Sequence, residues 1–254
     1  MTKAELKEFL DEKAAFYENP DFLETDPIQI PHRFLKKEDV EISAFLTATI
    51  AWGNRKSIIA NASKMMLLMD NAPYDFTLNH QENDLKSLQG FVHRTFNGDD
   101  LMTFVKGLKH LYVQRNGLEN LFKQYQGKTS LQPAITKLKE VFFEIPHLQR
   151  TQKHISNPNT GSAAKRINMF LRWMVRPNHK RVDFGLWTSI PTGKLSCPLD
   201  VHSGNVARKL KLLKRKQNDA KALVELDKNL RKLDIYDPVK YDFALFGLGV
   251  FEKF

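Results

Sequence analysis

The sequence predicts an all-α fold, and three observations lead there. Apolar residues recur at helical spacing along nearly the whole chain, and no run alternates with the period of two that a half-buried strand requires. The breaks between periodic stretches carry Gly, Pro, Asn and Asp. With 254 residues, 42% of them hydrophobic, the chain can build one full-sized domain or two small lobes sharing an interface. A disordered chain is excluded by the same richness in apolar side chains.

The elements follow in order. Ile42, Phe45, Leu46 and Ile50 form one helical stripe. After the break Trp52-Gly53-Asn54, a second is formed by Ile58, Ile59, Ala62, Met65, Met66 and Met69, giving a packed pair of core helices. Asp99 and Asp100 precede Leu101, Phe104, Val105, Leu108, Leu111 and Tyr112, so a helix is expected to start at these acids and to stop at Gly117. Pro73, Asn97-Gly98, Gly127, Pro146 and Pro158 punctuate the chain, and Asp237-Pro238 reads as an N-cap with proline at the first position of a last helix. The count is about ten helices. No repeat or low-complexity linker is present, so any two lobes are joined by ordinary loops.

Charge and cysteine usage narrow the function classes. Lys and Arg number 39 against 29 Asp and Glu, a formal charge of +10 that favours polyanionic partners. The surplus is local: between residues 147 and 216 fifteen Lys and Arg face only Asp183 and Asp200. The single cysteine, Cys197, excludes an internal disulfide, a four-thiolate zinc site and a cysteine-held iron–sulfur cluster. No stretch reaches the roughly eighteen apolar residues of a spanning helix. The N-terminus MTKAELKEFLDEKAAF carries acids where a signal peptide is apolar. These features predict a soluble, cytoplasmic monomer with no membrane contact, no cofactor and no metal.

The chemically informative stretch runs Asn157-Pro158-Asn159-Thr160-Gly161-Ser162-Ala163-Ala164-Lys165-Arg166 and continues into a helix to about Arg176. At ~100° per residue, Ile167, Phe170, Leu171 and Met174 gather on one side, and Lys165, Asn168, Arg172 and Arg176 on the other, which predicts one core face and one basic face. A turn of Asn, Pro, Thr and Gly ahead of such a helix aims unpaired N–H groups where a phosphate can accept them. The segment is not a nucleotide-binding P-loop, which ends in Gly-Lys-Ser/Thr where this one reads Ala-Lys-Arg. Downstream, Pro198-Leu199-Asp200-Val201-His202 precedes the basic helix containing Arg208 and Lys209. Asp200 opens that helix, and an N-cap is by itself the commoner role for Asp there.

Gly161-Ser162-Ala163-Ala164-Lys165, a Gly/Pro loop, and Pro198-Leu199-Asp200-Val201-His202 before a basic helix resemble the signature of the helix-hairpin-helix DNA glycosylases. Residues 161–176, Gly185-Leu186-Trp187 and Tyr241-Asp242-Phe243-Ala244-Leu245-Phe246-Gly247-Leu248-Gly249 are similar to a family of uncharacterised conserved bacterial proteins placed in that superfamily. Asp26-Pro27-Ile28 and Ala51-Trp52-Gly53-Asn54-Arg55 match it too, so the resemblance covers most of the chain. Ala163 stands where the usual hairpin has its second glycine, and Asn157 and Pro158 replace the apolar residues that lead into it.

The resemblance implies a two-lobed, helix-hairpin-helix glycosylase-like unit over 1–254. Lobe A comprises 1–126 plus 217–254, lobe B comprises 127–216 with the hairpin and catalytic loop, and the active-site cleft lies between them. It implies a DNA-repair glycosylase with AP-lyase activity, acting on double-stranded DNA with a damaged base. Lys165 is then the amine nucleophile and Asp200 the carboxylate that faces the positive charge developing on the sugar. A lysine attacks only as the free amine, a state that crowding by Arg172 and Arg176 or desolvation favours. Gly161, Ser162, Ala163, Arg166, Arg172, Arg176, Arg208 and Lys209 are the expected DNA contacts, chiefly to phosphate. Trp52, Asn54, Trp173, Trp187 and His202 are candidates for the pocket of a flipped base. The residues taken singly allow plainer roles. Lys165 can be a phosphate contact, Trp52 and Trp187 core, His202 an inward-facing core histidine four before Val206, and Phe246 and Phe251 packing. A non-catalytic DNA- or RNA-binding module with the same basic face is the rival reading.

Overall fold

The structure, a computed structural model describing all 254 residues, is built almost wholly of helices. In order they are α1 (Lys3–Tyr17), α2 (Phe22–Thr25), α3 (Lys37–Thr49), α4 (Arg55–Leu68), α5 (Pro73–Asn79) and α6 (Glu82–Lys86). A two-residue antiparallel ladder, β1 (Val92–His93) with β2 (Phe96–Asn97), pairs Val92 with Asn97 and His93 with Phe96. Then come α7 (Gly98–Arg115), α8 (Leu118–Gln124), α9 (Gln132–Phe142), α10 (Lys165–Val175), α11 (Val201–Lys209), α12 (Ala220–Leu233) and α13 (Tyr241–Val250). The all-α expectation holds. No helix is long and apolar enough to cross a membrane.

Local chemistry explains most boundaries. The stripes at 42–50 and 58–69 become α3 and α4, which pack together, with Asn54 capping α4 through the Ser57 N–H at 3.2 Å. Helix α7 starts earlier than expected. Asn97 is its N-cap and Asp100 sits inside the first turn, returning a hydrogen bond to the Asn97 N–H. Its end is set by Asn116 in the left-handed conformation (φ 56°), one residue before Gly117. The last helix is also reassigned. Pro238–Lys240 forms a 3-10 turn, α13 begins at Tyr241, and the Asp237 carboxylate is taken by Arg176 instead of capping.

Two hydrophobic cores hold the molecule. The larger gathers apolar residues from Ile28 to Leu195 together with Val239 and Phe243. The smaller gathers Leu10 and Ala14 of α1, Ala163, and residues between Cys197 and Leu248. Between residues 127 and 195 every buried apolar residue except Ala163 joins the larger core, and the cores divide again between Leu195 and Cys197. Two close approaches build the smaller core's helical stack. A Cβ at Gly247 would lie 2.2 Å from the Tyr17 ring, and one at Gly249 would lie 3.1 Å from His202 Cβ. Glycine is what lets α1 and α11 reach α13.

Candidate active site

Helix α10 packs its apolar side into the larger core and reaches the elements of the smaller one through Lys165–Asp200 and Arg172–Asp242, and that position decides its chemistry. Residues 167, 168 and 170–175 are all buried, so the face predicted to be basic is interior. Arg172 is 4% exposed and Arg176 5%, neither able to meet DNA phosphate. Arg172 is held by Asp183 at 3.2 Å and Asp242 at 2.5 Å; Arg176 by Glu18 at 2.5 Å, Asp183 at 2.9 Å and Asp237 at 2.9 Å. Five guanidinium donors on each are a match for this many carboxylates, and buried charge persists only when so paired. Both guanidiniums expected at the DNA are thus engaged with buried carboxylates in this structure.

Only the start of α10 reaches the surface. Pro158–Thr160 makes a 3-10 turn, Gly161 follows at φ 91° with open space where a Cβ would stand, and Ala164 takes the left-handed conformation at φ 46°. The Gly161 carbonyl accepts the Ala220 N–H at 2.9 Å, which ties the turn to α12. No side chain caps α10, so its first-turn N–H groups point out beside the turn.

Lys165 is the first residue of α10, and its Nζ lies 3.0 Å from Asp200 Oδ2. Asp200 performs both roles that its sequence position allows. Oδ1 caps α11 through the Ser203 N–H at 2.8 Å, while the other oxygen turns to Lys165. Burial raises its carboxyl, but the Lys165 ammonium and the Ser203 donors win, leaving it below the usual range.

The pair forms the common wall of two concavities. In front, a groove is lined by Trp52, Ser162, Ala163, Arg166, Asp200, His202 and Asn218, among others. Behind lies a smaller cavity lined by Phe22, Asp26, Lys165, Met169, Arg172, Pro198, Asp200, Asp242, Phe243 and Phe246. Burial pushes the Asp242 carboxyl up to about 6 against the pull of Arg172. Trp52 is fixed from three sides, stacked on His154, edge-on to His93, and covered by the Arg166 guanidinium 4.8 Å from its ring. Arg166 is itself tied down by the Thr49 and His154 carbonyls, and burial lowers its basicity to about 10.

The remaining predicted residues fall elsewhere. Trp173 and Trp187 have no exposed surface, and the Trp187 indole N–H donates to Glu41 at 2.7 Å, so neither lines a base pocket. Asn54 is exposed at the α4 cap but lines neither concavity. His202 is exposed, not inward-facing: it lines the groove, with its ring edge-on to Phe246 of α13 at 6.5 Å. Arg208 spends its donors on the Arg215 carbonyl and Asn218, and Lys209 is exposed beside Phe254. Sequence reasoning did not assign Asp26, Met169, Asp242 or the three phenylalanines to the site. One signal was available: Asp242 is the only charged residue in the run Tyr241–Val250.

Over residues 26–251 the chain matches the family model described as protein of unknown function (DUF2400). The chain belongs to this family, whose matched region spans Asp26, Lys165, Asp200 and Asp242. No curated protein and no solved structure matches it.

Proposed function

We propose that this protein is a DNA-repair glycosylase of helix-hairpin-helix type that flips a damaged base from duplex DNA, cleaves its N-glycosidic bond and nicks the strand through Lys165. The observation that carries the reading is the Lys165–Asp200 pair at 3.0 Å, standing between an open groove and a smaller cavity walled in part by phenylalanines. The start of α10 beside the groove has no side-chain cap, so its first-turn N–H groups favour a phosphate there, and the molecule's +10 charge favours the polyanion. Lys165 gives up its proton to water, and the freed amine bonds to C1′ as the glycosidic bond breaks and its electron pair leaves with the base, while Asp200 stays ionised. The Asp200 side faces the positive charge passing through the sugar. Ring opening of the C1′ adduct gives the Schiff base from which strand nicking proceeds.

Borohydride trapping tests this on duplexes carrying oxidised, deaminated, alkylated or abasic sites. The expected result is a covalent adduct and released base with at least one lesion, both lost in Lys165→Ala and base release reduced at least a hundredfold in Asp200→Asn. Salt-sensitive binding with neither adduct nor free base across the panel would overturn the enzyme reading in favour of a non-catalytic nucleic-acid-binding module.

A further inference from the structure

Three carboxylates line the rear cavity, and two of them are spoken for. Asp200 pairs with Lys165 and Asp242 with Arg172. Asp26 is 8% exposed, yet its only hydrogen bond comes from the Ile28 N–H to Oδ1 at 3.1 Å; Oδ2 has neither a hydrogen-bond nor an ion-pair partner in the protein. The Asp26 side chain is thus nine-tenths buried, and its unpartnered Oδ2 keeps the remaining access through the cavity, where it can meet a ligand.

The geometry points to Asp26 as the general acid of the proposed reaction, delivering a proton to the departing base from the opened Oδ2 position. The inference rests on the glycosylase reading of the Lys165–Asp200 pair. The C1′–N bond breaks, its electron pair stays on the base nitrogen system, and the Asp26 proton neutralises the base as it leaves. Lys165 takes the sugar carbon, and Asp26, now a carboxylate, recovers its proton from water.

The surroundings divide the two carboxyls into an acid and an anion. Burial raises the Asp26 carboxyl, with the Ile28 N–H, Arg172 and Arg55 opposing and Asp183 adding, while Asp200 is held below the usual range. Carboxyls pushed apart by their environments are how one site keeps a proton donor beside an ionised partner. The walls beside Asp26, Phe22, Phe243 and Phe246, supply the apolar setting that favours its neutral form.

The test compares Asp26→Asn with the wild type in single turnover on three duplexes. One carries an abasic site, one a neutral lesion base that the wild type releases, and one an N7-methylguanine, whose positive charge lets it leave without a proton. Asp26→Asn should release the neutral base about a hundredfold more slowly, the scale of general-acid catalysis. It should release N7-methylguanine within about threefold of the wild-type rate and trap the abasic site normally. The wild-type rate for the neutral base should fall with rising pH, and that limb should vanish in the variant.

Neutral-base release at the wild-type rate would overturn the assignment, as would equal losses on the neutral and cationic bases, which a merely structural role predicts. If the wild type itself forms no adduct at the abasic site, the Lys165 reading fails and this assignment with it. Normal trapping by Asp26→Asn shows that the variant is folded.

Discussion

Asp200 and Arg172 show how far a residue's type fixes its role. Asp200 was legible as an N-cap and as a candidate carboxylate, and the structure gives one oxygen to each task. Arg172 was legible only as a cation, since sequence spacing places it beside Lys165 and says nothing of what lies opposite. Its partners Asp183 and Asp242 come from 11 and 70 residues away, so a helical wheel cannot register them. Arg172→Met should therefore act on stability, leaving buried Asp242 without its cation and Asp183 with Arg176 alone. The expected cost is about 3–5 kcal/mol in chemical denaturation. A loss below about 1 kcal/mol combined with weakened DNA binding would show instead that the guanidinium is a surface contact.

At the scale of elements, periodicity located α3, α4 and α7, because burial of one face is a local property of spacing. Their ends moved by a few residues where caps competed, as at Asn97 and Asn116. The start of α10 was readable as an open turn because Gly161, Asn157 and Pro158 are turn residues whatever surrounds them. The depth of the same helix was not, since its polar side is as buried as its apolar one. Helix α13 carries the clearest packing constraint. Gly247→Ala sets a methyl group 2.2–2.4 Å from Tyr17 ring atoms, so α1 must shift or the ring must turn. A loss of about 1–3 kcal/mol in thermal or chemical unfolding is expected. Proteolysis should release α1 first, because its contact with α13 is the one disturbed. Unchanged stability would mean that α1 does not dock on α13.

For the whole molecule, burying acids at the boundary between the cores makes stability depend on pH. Burial raises Asp227 to about 6 and Asp242 to about 6, from an ordinary value of 3.8. A carboxyl whose folded value is raised binds its proton more tightly folded than unfolded. Its stabilisation is thus fully present below about pH 4 and lost as pH rises through about 6. Asp200, held low, works in the opposite sense and loses its contribution only at more acid pH. Between pH 7 and pH 5 the melting temperature should rise, and Asp227→Asn, which fixes the neutral form, should flatten that rise. An unaltered slope in the variant would show that Asp227 is ionised and compensated throughout.

By itself the sequence determined the helical class, the turn at 157–164, the local excess of positive charge, and the two residue types that form the Lys165–Asp200 pair. Each of these depends on neighbours within a few residues, where spacing and composition act directly. Tertiary structure alone decided that Lys165 and Asp200 meet at 3.0 Å, that Arg172, Arg176, Trp173 and Trp187 are interior, and that Asp26 joins the cavity. Those outcomes depend on which distant carboxylate or ring arrives across a helix interface. One amphipathic pattern is compatible with many such partners, and only the docking of α10 against the larger core, with its polar side toward Asp200 and Asp242, selects among them.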